Sequence, residues 1–305
     1  MGQQHVAYGG QAVIEGVMMR GRQQATVAVC QPSGAIAYKH FPLDAQRRTS
    51  LERLPLVRGV LMLWDALSLG VRALNFSASA ALGEQEQSTG ASIGTLILSL
   101  TIAIGLFFVS PLLLASLAGH LGANLFQREL LEGVLRLGII IGYIVMISRI
   151  PEIQRVFGYH GAEHKAVNAY EAGAPLTVES VRGFSLIHPR CGTSFLAVVV
   201  LISFVIFLFL GGLPFWARFL SRIVLVPVIA AVAYELLRLS ARHYHRRWVR
   251  TLIAPSLSLQ QLTTREPDDT MIKTAIAALL PVLAADGVSV RETRTTDEQA
   301  LATSV

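Results

Sequence analysis

Four long apolar stretches dominate the hydrophobic pattern of the chain. They lie at Ala91–Leu117, Val134–Ile150, Phe195–Leu213 and Ile223–Leu239. Each is close to the length that a helix needs to cross the roughly 30 Å hydrocarbon layer of a bilayer. The pattern therefore predicts a mainly α, multi-pass membrane protein with about four transmembrane helices within residues 91–240.

The N-terminal region has a shorter, β-like pattern. Glycines bracket the apolar run GGQAVIEGVMMRG at Gly9–Gly21, which predicts a strand with tight turns at both ends. Thr26–Cys30 and Ala35–Phe41 predict two further strands, and the residues Gln31–Gly34 between them favour a hairpin turn. Residues 1–53 are thus expected to form a small β-hairpin region.

Leu54–Ala81 is long and apolar, but it differs from the four stretches above. Arg58, Asp65 and Arg72 recur in it every seven residues and fall near one helical stripe. This favours an interfacial amphipathic helix or a re-entrant helix over a clean span. A polar linker follows, so residues 54–90 are expected to form one segment.

The C-terminal tail, residues 241–305, carries one further helical pattern at Met271–Leu283. Asp268 and Asp269 precede this pattern, and helix capping explains both residues. The last stretch, Val288–Val305, is polar and is expected to be disordered.

Composition supports a membrane protein. Of the 305 residues, 52% are hydrophobic and 15% charged, and the mean hydropathy is +0.52. The net charge is +6, with basic residues clustered beside the apolar stretches. By the positive-inside rule, both termini and the loop 151–193 are expected in the cytoplasm. The basic tail lacks interleaved aromatic residues, so a nucleic-acid partner is not expected. Two cysteines make no disulfide framework and suit a reducing compartment.

The sequence His160–Lys165, HGAEHK, carries the strongest chemical signal. On a helix, His160 and His164 lie one turn apart on one face, with Glu163 beside them. The order H-x-x-E-H occurs in inverted zinc metalloproteases, where the histidines bind zinc and the glutamate activates water. We therefore expect a divalent metal, most plausibly Zn²⁺, with Glu163 as general base. A solvated polar helix is the alternative.

A catalytic zinc site takes three protein ligands, so a third is needed. His188 and Cys191, just before the third apolar stretch, are the nearest candidates. Glu235 and Glu15 are more distant ones. In a strand, Glu15 would share a face with two valines, and a carboxylate there is either functional or paired with an arginine.

Two basic residues lie beside these candidates and could act on a substrate. Arg190 or Lys165 could stabilise negative charge that develops in a transition state. We expect Glu15 to face the same cavity as the central loop.

The motifs GGQAVIEGVMMRG, YHGAEHKAVNAYEAG, HPRCGTSF and LTTREPDD, in this order, resemble the YqhQ family. The resemblance runs from about Gly9 to Pro281. It implies a multi-pass protein of the bacterial inner membrane, uncharacterised and predicted to be a metal-dependent enzyme. The matching positions are Glu15, Arg20, His160, Glu163, His164, Lys165, Glu171, His188, Arg190, Cys191, Glu266, Asp268 and Asp269.

Two functions from different classes follow. The first is a metal-dependent hydrolase with a cytoplasm-facing H-x-x-E-H site, acting on a peptide, an ester or a phosphate. The second is a non-enzymatic membrane scaffold or transporter whose cytoplasmic loop senses metal. Pro111, Pro227, Arg136 and Glu235 would suit a broken-helix pathway in the second case. Neither the substrate nor the oligomeric state follows from the sequence.

Overall fold

A computed structural model of the chain describes residues 8–43, 56–83, 89–244 and 246–288. Its strands are β1 (Gly9–Val13), β2 (Gly16–Arg20), β3 (Gln24–Cys30) and β4 (Ile36–Pro42). Its helices are α1 (Val57–Leu82), α2 (Thr89–Ile104), α3 (Ser110–His120), α4 (Leu125–Ile147), α5 (Pro151–Glu171), α6 (Val178–Arg182), α7 (Gly192–Leu210), α8 (Phe215–Val224), α9 (Val226–Arg242), α10 (Arg247–Ser258), α11 (Gln260–Thr263) and α12 (Asp269–Ala285), with a π-helical turn at Gly105–Val109 between α2 and α3.

The strands form one antiparallel sheet in the order β1-β2-β3-β4. The hairpin predicted between β3 and β4 is confirmed, with Gly34 at a φ of 82° in its turn. The single strand predicted over Gly9–Gly21 is wrong, because the chain reverses at Ile14–Glu15 and forms two paired strands. Glu15 lies in this turn with a φ of 51°, so it does not share a strand face with Val13 and Val17. The alternation of apolar residues continues through the turn and conceals it.

Helices cover both faces of the sheet. Val17 and Met19 of β2 point to one face and pack with α5 and α12, whereas Met18 points to the other and packs with Leu69 and Ala73 of α1. This alternation is the period of two that a strand imposes on its side chains. The sheet therefore joins the N-terminal region to the central loop and to the tail.

Three helical segments are long and apolar enough to cross a membrane: Ile97–His120, Leu125–Ile147 and Gly192–Leu210. Helices α8 and α9 pass the same criterion together, bent by 49° at Leu225, and would make a fourth, broken span. The expectation of a mainly α fold with about four candidate spans and a small N-terminal β region is confirmed.

Helix α1 is not among the candidate spans of the described chain. Its N-terminal half packs on α9, where a Cβ at Gly59 would lie 2.9 Å from the Cα of Ala231. Nearby, Arg58 forms a bidentate ion pair with Glu235. Trp64 points away from the protein and is 72% exposed. Helix α1 thus has one packed face and one exposed apolar face, as an interfacial amphipathic helix would have.

The predicted cap of the last helix is confirmed. The Asp268 side chain accepts a 2.9 Å hydrogen bond from the Met271 backbone N–H at the start of α12. Asp269 instead pairs with Arg182 of α6. Helix α12 packs on the sheet and on α5, so the tail and the N-terminal region share one core. Most of the expected disordered end, residues 289–305, lies outside the described residues.

Candidate metal centre

Helix α5 carries the H-x-x-E-H motif in the core of the sheet-and-helix layer. The helix starts at Pro151 and ends at Glu171. A Cβ at Gly161 would lie 2.1 Å from the carbonyl oxygen of Arg265, so only glycine allows the segment after α11 to approach this closely. The Arg265 N–H also donates to the Phe157 carbonyl at 2.9 Å. This contact places backbone carbonyls beside the histidines.

Two such carbonyls orient the histidine rings. His160 Nδ1 lies 2.8 Å from the Thr263 carbonyl oxygen, and His164 Nδ1 lies 2.5 Å from that of Leu186. A carbonyl only accepts, so both rings carry their proton on Nδ1 and present the Nε2 lone pair. The ring centroids are 4.4 Å apart, as expected for one helical face. This is the tautomer and orientation that backbone partners impose on metal-binding histidines.

Cys191 completes a set of three donors. It is the N-cap residue of α7, and its Sγ lies 3.2 Å from His160 Nε2. Ligand atoms of His160, His164 and Cys191 all lie within 4.8 Å of one another. Of the two predicted third donors, the structure brings Cys191 into this group.

Glu163 lies beside the donors and is held by the N-terminal sheet. Its Oε1 accepts a 2.8 Å hydrogen bond from the Gly10 backbone N–H of β1. Its Oε2 lies 3.8 Å from His164 Nε2. One oxygen is therefore anchored and the other faces the histidine that would bind the metal.

His188 lies next to the three donors but is not one of them. Its ring centroid is 5.8 Å from that of His164, and its Nε2 lies 3.7 Å from Glu171 Oε2. Burial lowers the pKa of His188, and the charge of Glu163 partly opposes this shift. The shift favours the neutral form of the ring. Gln260 fixes the backbone here, because its amide bonds both the N–H and the carbonyl of His188 at 3.0 and 2.9 Å.

The two basic candidates are both in ion pairs. Arg190 contacts Glu171 at the end of α5, and each side chain is about a third exposed, at 34% and 35%. Lys165 is buried and contacts Glu266 and the Arg182 carbonyl. Lys165 thus links α5 to α6 and to the segment before α12, which is a structural contact. Of the two basic residues, Arg190 lies on the rim of the cluster and Lys165 does not.

Two predicted carboxylates lie elsewhere. Glu15 was expected to face the cavity, but its carboxylate forms a bidentate pair with Arg155 and lies 3.4 Å from the Tyr159 hydroxyl. This expectation is wrong, because the turn at Glu15 directs the side chain toward the start of α5. Glu235 is bound by Arg58 and is not a third ligand among the described contacts.

The donor set fits a metal ion of the zinc type. Two imidazole nitrogens and one thiolate are ligands that zinc accepts in tetrahedral sites with an open position. His164 Nε2 and His188 Nε2 are buried and have no hydrogen-bond partner within the described chain. A buried nitrogen lone pair without a partner is costly, and a bound cation would satisfy it.

Several residues of the site were absent from the sequence-based prediction. Gln260 and Gly10 hold His188 and Glu163, while Thr263 and Leu186 act through backbone carbonyls. Backbone acceptors leave no mark in the sequence. Gly10 did leave a signal, because it belongs to the glycine pair that opens the N-terminal motif.

Comparison with known proteins places these motifs in a family. A family described as "Protein of unknown function (DUF1385)" matches residues 54–285, which include every residue of the cluster except Gly10. The chain is also 32% identical over 301 residues to "Uncharacterized protein YqhQ" of Bacillus subtilis (strain 168), covering 93% of this chain and 94% of that protein. The chain belongs to the YqhQ family. No solved structure matches this YqhQ-family chain. The expected family is confirmed, and family membership assigns neither a metal nor a reaction.

Proposed function

We propose that this YqhQ-family chain is a membrane-bound, metal-dependent hydrolase with His160, His164 and Cys191 as zinc ligands. The observation that supports it is the convergence of these three donors within 4.8 Å, with both imidazoles oriented by backbone carbonyls. When bound, zinc would supply Lewis acidity and lower the pKa of a water molecule.

Glu163 is the general base in this proposal. The Gly10 N–H holds Oε1, whereas Oε2 has no hydrogen-bond partner among the described residues and lies beside His164. Oε2 is therefore the atom that takes the proton from an attacking water, while the anchored oxygen keeps the carboxylate in place. A base that is 5% exposed is shielded from bulk water, which favours proton transfer within the site.

Arg190 is the residue that we assign to the substrate. Its side chain is about a third exposed at the rim, and a planar cation suits a carboxylate, a phosphate or a developing oxyanion. Glu171 holds it in place before the substrate arrives. The substrate of this site is thus a peptide, an ester or a phosphate ester.

The proposal includes a location in the bacterial inner membrane with both termini and the metal centre in the cytoplasm. Basic residues are concentrated in the N-terminal region, in residues 151–193 and after Ser240, which supports this orientation.

A non-enzymatic metal site in a membrane scaffold or transporter is the second candidate. The burial of the cluster favours it: His164 is 1% exposed and His188 3%. Glu163 or His188 could then supply a fourth ligand and close the coordination sphere, which is typical of structural zinc.

Elemental analysis and zinc X-ray absorption of the detergent-purified full chain test the proposal. We expect about one zinc per chain with three protein ligands and an exchangeable water. His160→Ala should lose zinc, whereas His120→Ala, at an exposed histidine that ends α3, should keep it.

Glu163→Gln separates the two candidates. In the hydrolase it should retain zinc and abolish hydrolysis of a panel of fluorogenic peptide, ester and phosphate substrates. Loss of zinc in this variant, or four protein ligands in the wild type, would make the site structural and reject the hydrolase.

A further inference from the structure

A second cluster of buried charges lies among the candidate spans. It comprises Glu129, Glu132 and Arg136 of α4 with Arg218 and Arg222 of α8, and each is 1–2% exposed. The outward faces of α8 are apolar, with Trp216 75% and Leu220 58% exposed. A helix that buries arginines and exposes large apolar side chains is built for a lipid surrounding. Ionisable residues in such a setting mark functional sites by default.

This cluster is distinct from the metal centre. Phe207, whose ring lies 3.9 Å from the Arg222 guanidinium, follows Cys191 by sixteen residues along α7. At about 1.5 Å per residue, this separation is about 24 Å of helix. Glu129 lies against Gly211, just past the end of α7, where a Cβ would be 2.7 Å from its Cγ. The charges therefore lie toward the opposite end of the spans.

Glu132 is fully used by two arginines. Arg222 donates to both of its oxygens, at 2.9 and 2.8 Å, and Arg136 Nη2 donates at 2.6 Å. Arg136 also donates from Nε to the Phe107 carbonyl at 3.1 Å. Pro111, four residues after Phe107, has no N–H that could donate an α-helical bond to that carbonyl. Arg136 and Arg222 are thus well satisfied.

Arg218 is the cation with missing partners. Its Nη2 lies 2.9 Å from Glu129 Oε1, but no N–H points along this vector, so both atoms remain without a hydrogen bond. Its Nε has no partner in the described chain either. The close approach is thus an ion pair by distance only. Because an arginine binds an anion through N–H groups that point at it, the N–H groups of Arg218 still lack an acceptor.

The charges do not balance. Three buried arginines face two buried glutamates, which leaves one positive charge, and Arg128 adds a partly buried guanidinium whose Nε also lacks a partner. An arginine does not lose its proton in a protein, so the excess charge cannot be removed by titration. Burial of an unpaired charge is strongly unfavourable. Within the described residues the ion pairs of these arginines involve Glu129 and Glu132 alone, and an anion from outside the chain would neutralise the remaining charge.

We propose that Arg218 binds a phosphate group at this end of the spans. A phosphate offers several acceptor oxygens to the orphaned N–H groups, and arginine is well suited to bidentate phosphate contacts. The group comes from an anionic phospholipid headgroup or from free phosphate. The lipid-exposed face of α8 places headgroups within reach, and this site does not depend on the metal centre.

Thermal unfolding of the detergent-purified full chain tests the site. We expect a saturable rise in Tm with phosphatidylglycerol, with inorganic phosphate, or with both, and none with phosphatidylcholine. A response to phosphatidylglycerol alone identifies a lipid, and a response to phosphate alone identifies a soluble ligand. The absence of a saturable response to either anion would overturn the proposal.

Substitutions assign the response to the network. Arg218→Gln removes the excess charge and should weaken the apparent affinity about tenfold or more, the loss expected for a charge-assisted contact. Arg250→Gln, at an exposed arginine of α10, should respond like the wild type. Equal responses of both variants would show that the anion binds elsewhere.

Glu129→Gln keeps the proposal testable if Arg218→Gln does not fold. It raises the excess positive charge by one and should therefore bind the anion more tightly than the wild type. An unchanged or weaker affinity in Glu129→Gln would overturn the site.

Discussion

The backbone N–H of Gly10 donates a 2.8 Å hydrogen bond to the Glu163 carboxylate across 153 residues of sequence. This contact is one of the links between the N-terminal sheet and the H-x-x-E-H helix, and it leaves Glu163 Oε2 directed toward His164. The first strand therefore positions the proposed base, and the glycine motif contacts the histidine motif through this bond.

Gly10→Ala should destabilise the protein and disturb Glu163. A Cβ at this position would lie 2.0 Å from the Met18 carbonyl oxygen, so β1 must shift away from β2. We expect a loss of about 1–3 kcal/mol in the free energy of unfolding, as for other overpacked sites. Gly9→Ala is the matched control, because nothing lies within 4 Å of its Cβ. Equal unfolding curves for the two variants would contradict the close β1–β2 approach.

Gly161→Ala should weaken zinc binding without touching a ligand. Its Cβ would meet the Arg265 carbonyl at 2.1 Å and Leu186 Cδ2 at 2.8 Å, and would displace the segments whose carbonyls orient both histidines. Loss of such outer contacts typically costs about 10–100-fold in metal affinity. Competition with a chromophoric chelator measures the change. Gly138→Ala in α4, which has open space at its Cβ, should bind zinc like the wild type.

Gln260→Met should lower the free energy of unfolding more than Gln261→Met does. The Gln260 amide bonds the His188 N–H, the His188 carbonyl and the Ser194 hydroxyl in a fully buried position. Its loss leaves buried backbone groups unsatisfied, at about 2–3 kcal/mol. Denaturant unfolding in detergent gives the difference. Gln261→Met alters an exposed residue and should stay within about 0.5 kcal/mol of the wild type. Similar losses for both would argue against an essential role of the amide.

Glu15→Gln should keep zinc and any hydrolytic activity. The carboxylate pairs with Arg155, whose side chain is 51% exposed, and such pairs contribute up to about 1 kcal/mol to stability. Zinc content and turnover, measured beside Glu163→Gln, check this. If Glu15→Gln kept its zinc but lost activity, Glu15 would have a catalytic role after all.

Membrane topology can be tested by cysteine labelling in intact cells. In a Cys30→Ala background, Leu121→Cys places a thiol in the α3–α4 loop, and Glu179→Cys places one on α6, which packs on α5. Leu121 is 88% exposed and Glu179 is also exposed, so both thiols are accessible on their own side. We expect an impermeant reagent added outside to label the first and not the second. Labelling of Glu179→Cys would move the centre to the other side of the membrane.

The sequence by itself determined the features that depend on local periodicity. Apolar stretches of nearly membrane length predicted the candidate spans, and the Pro-Ser-Gly turn predicted the β3–β4 hairpin. The four-residue interval between His160 and His164 also sufficed to place both rings on one face, because 3.6 residues complete a helical turn. Each of these relationships lies within one element or between neighbours.

The tertiary structure decided which distant elements meet. Cys191, and not His188, joins the two histidines because the N-cap residue of α7 contacts His160 of α5. Gly10, and not Glu15, reaches Glu163 because the chain turns at Glu15. Hydrophobic patterns state which face of an element is buried, but its partner depends on how all the elements pack together. A backbone N–H or carbonyl is moreover the same at every residue, so only its position in the fold gives it a role.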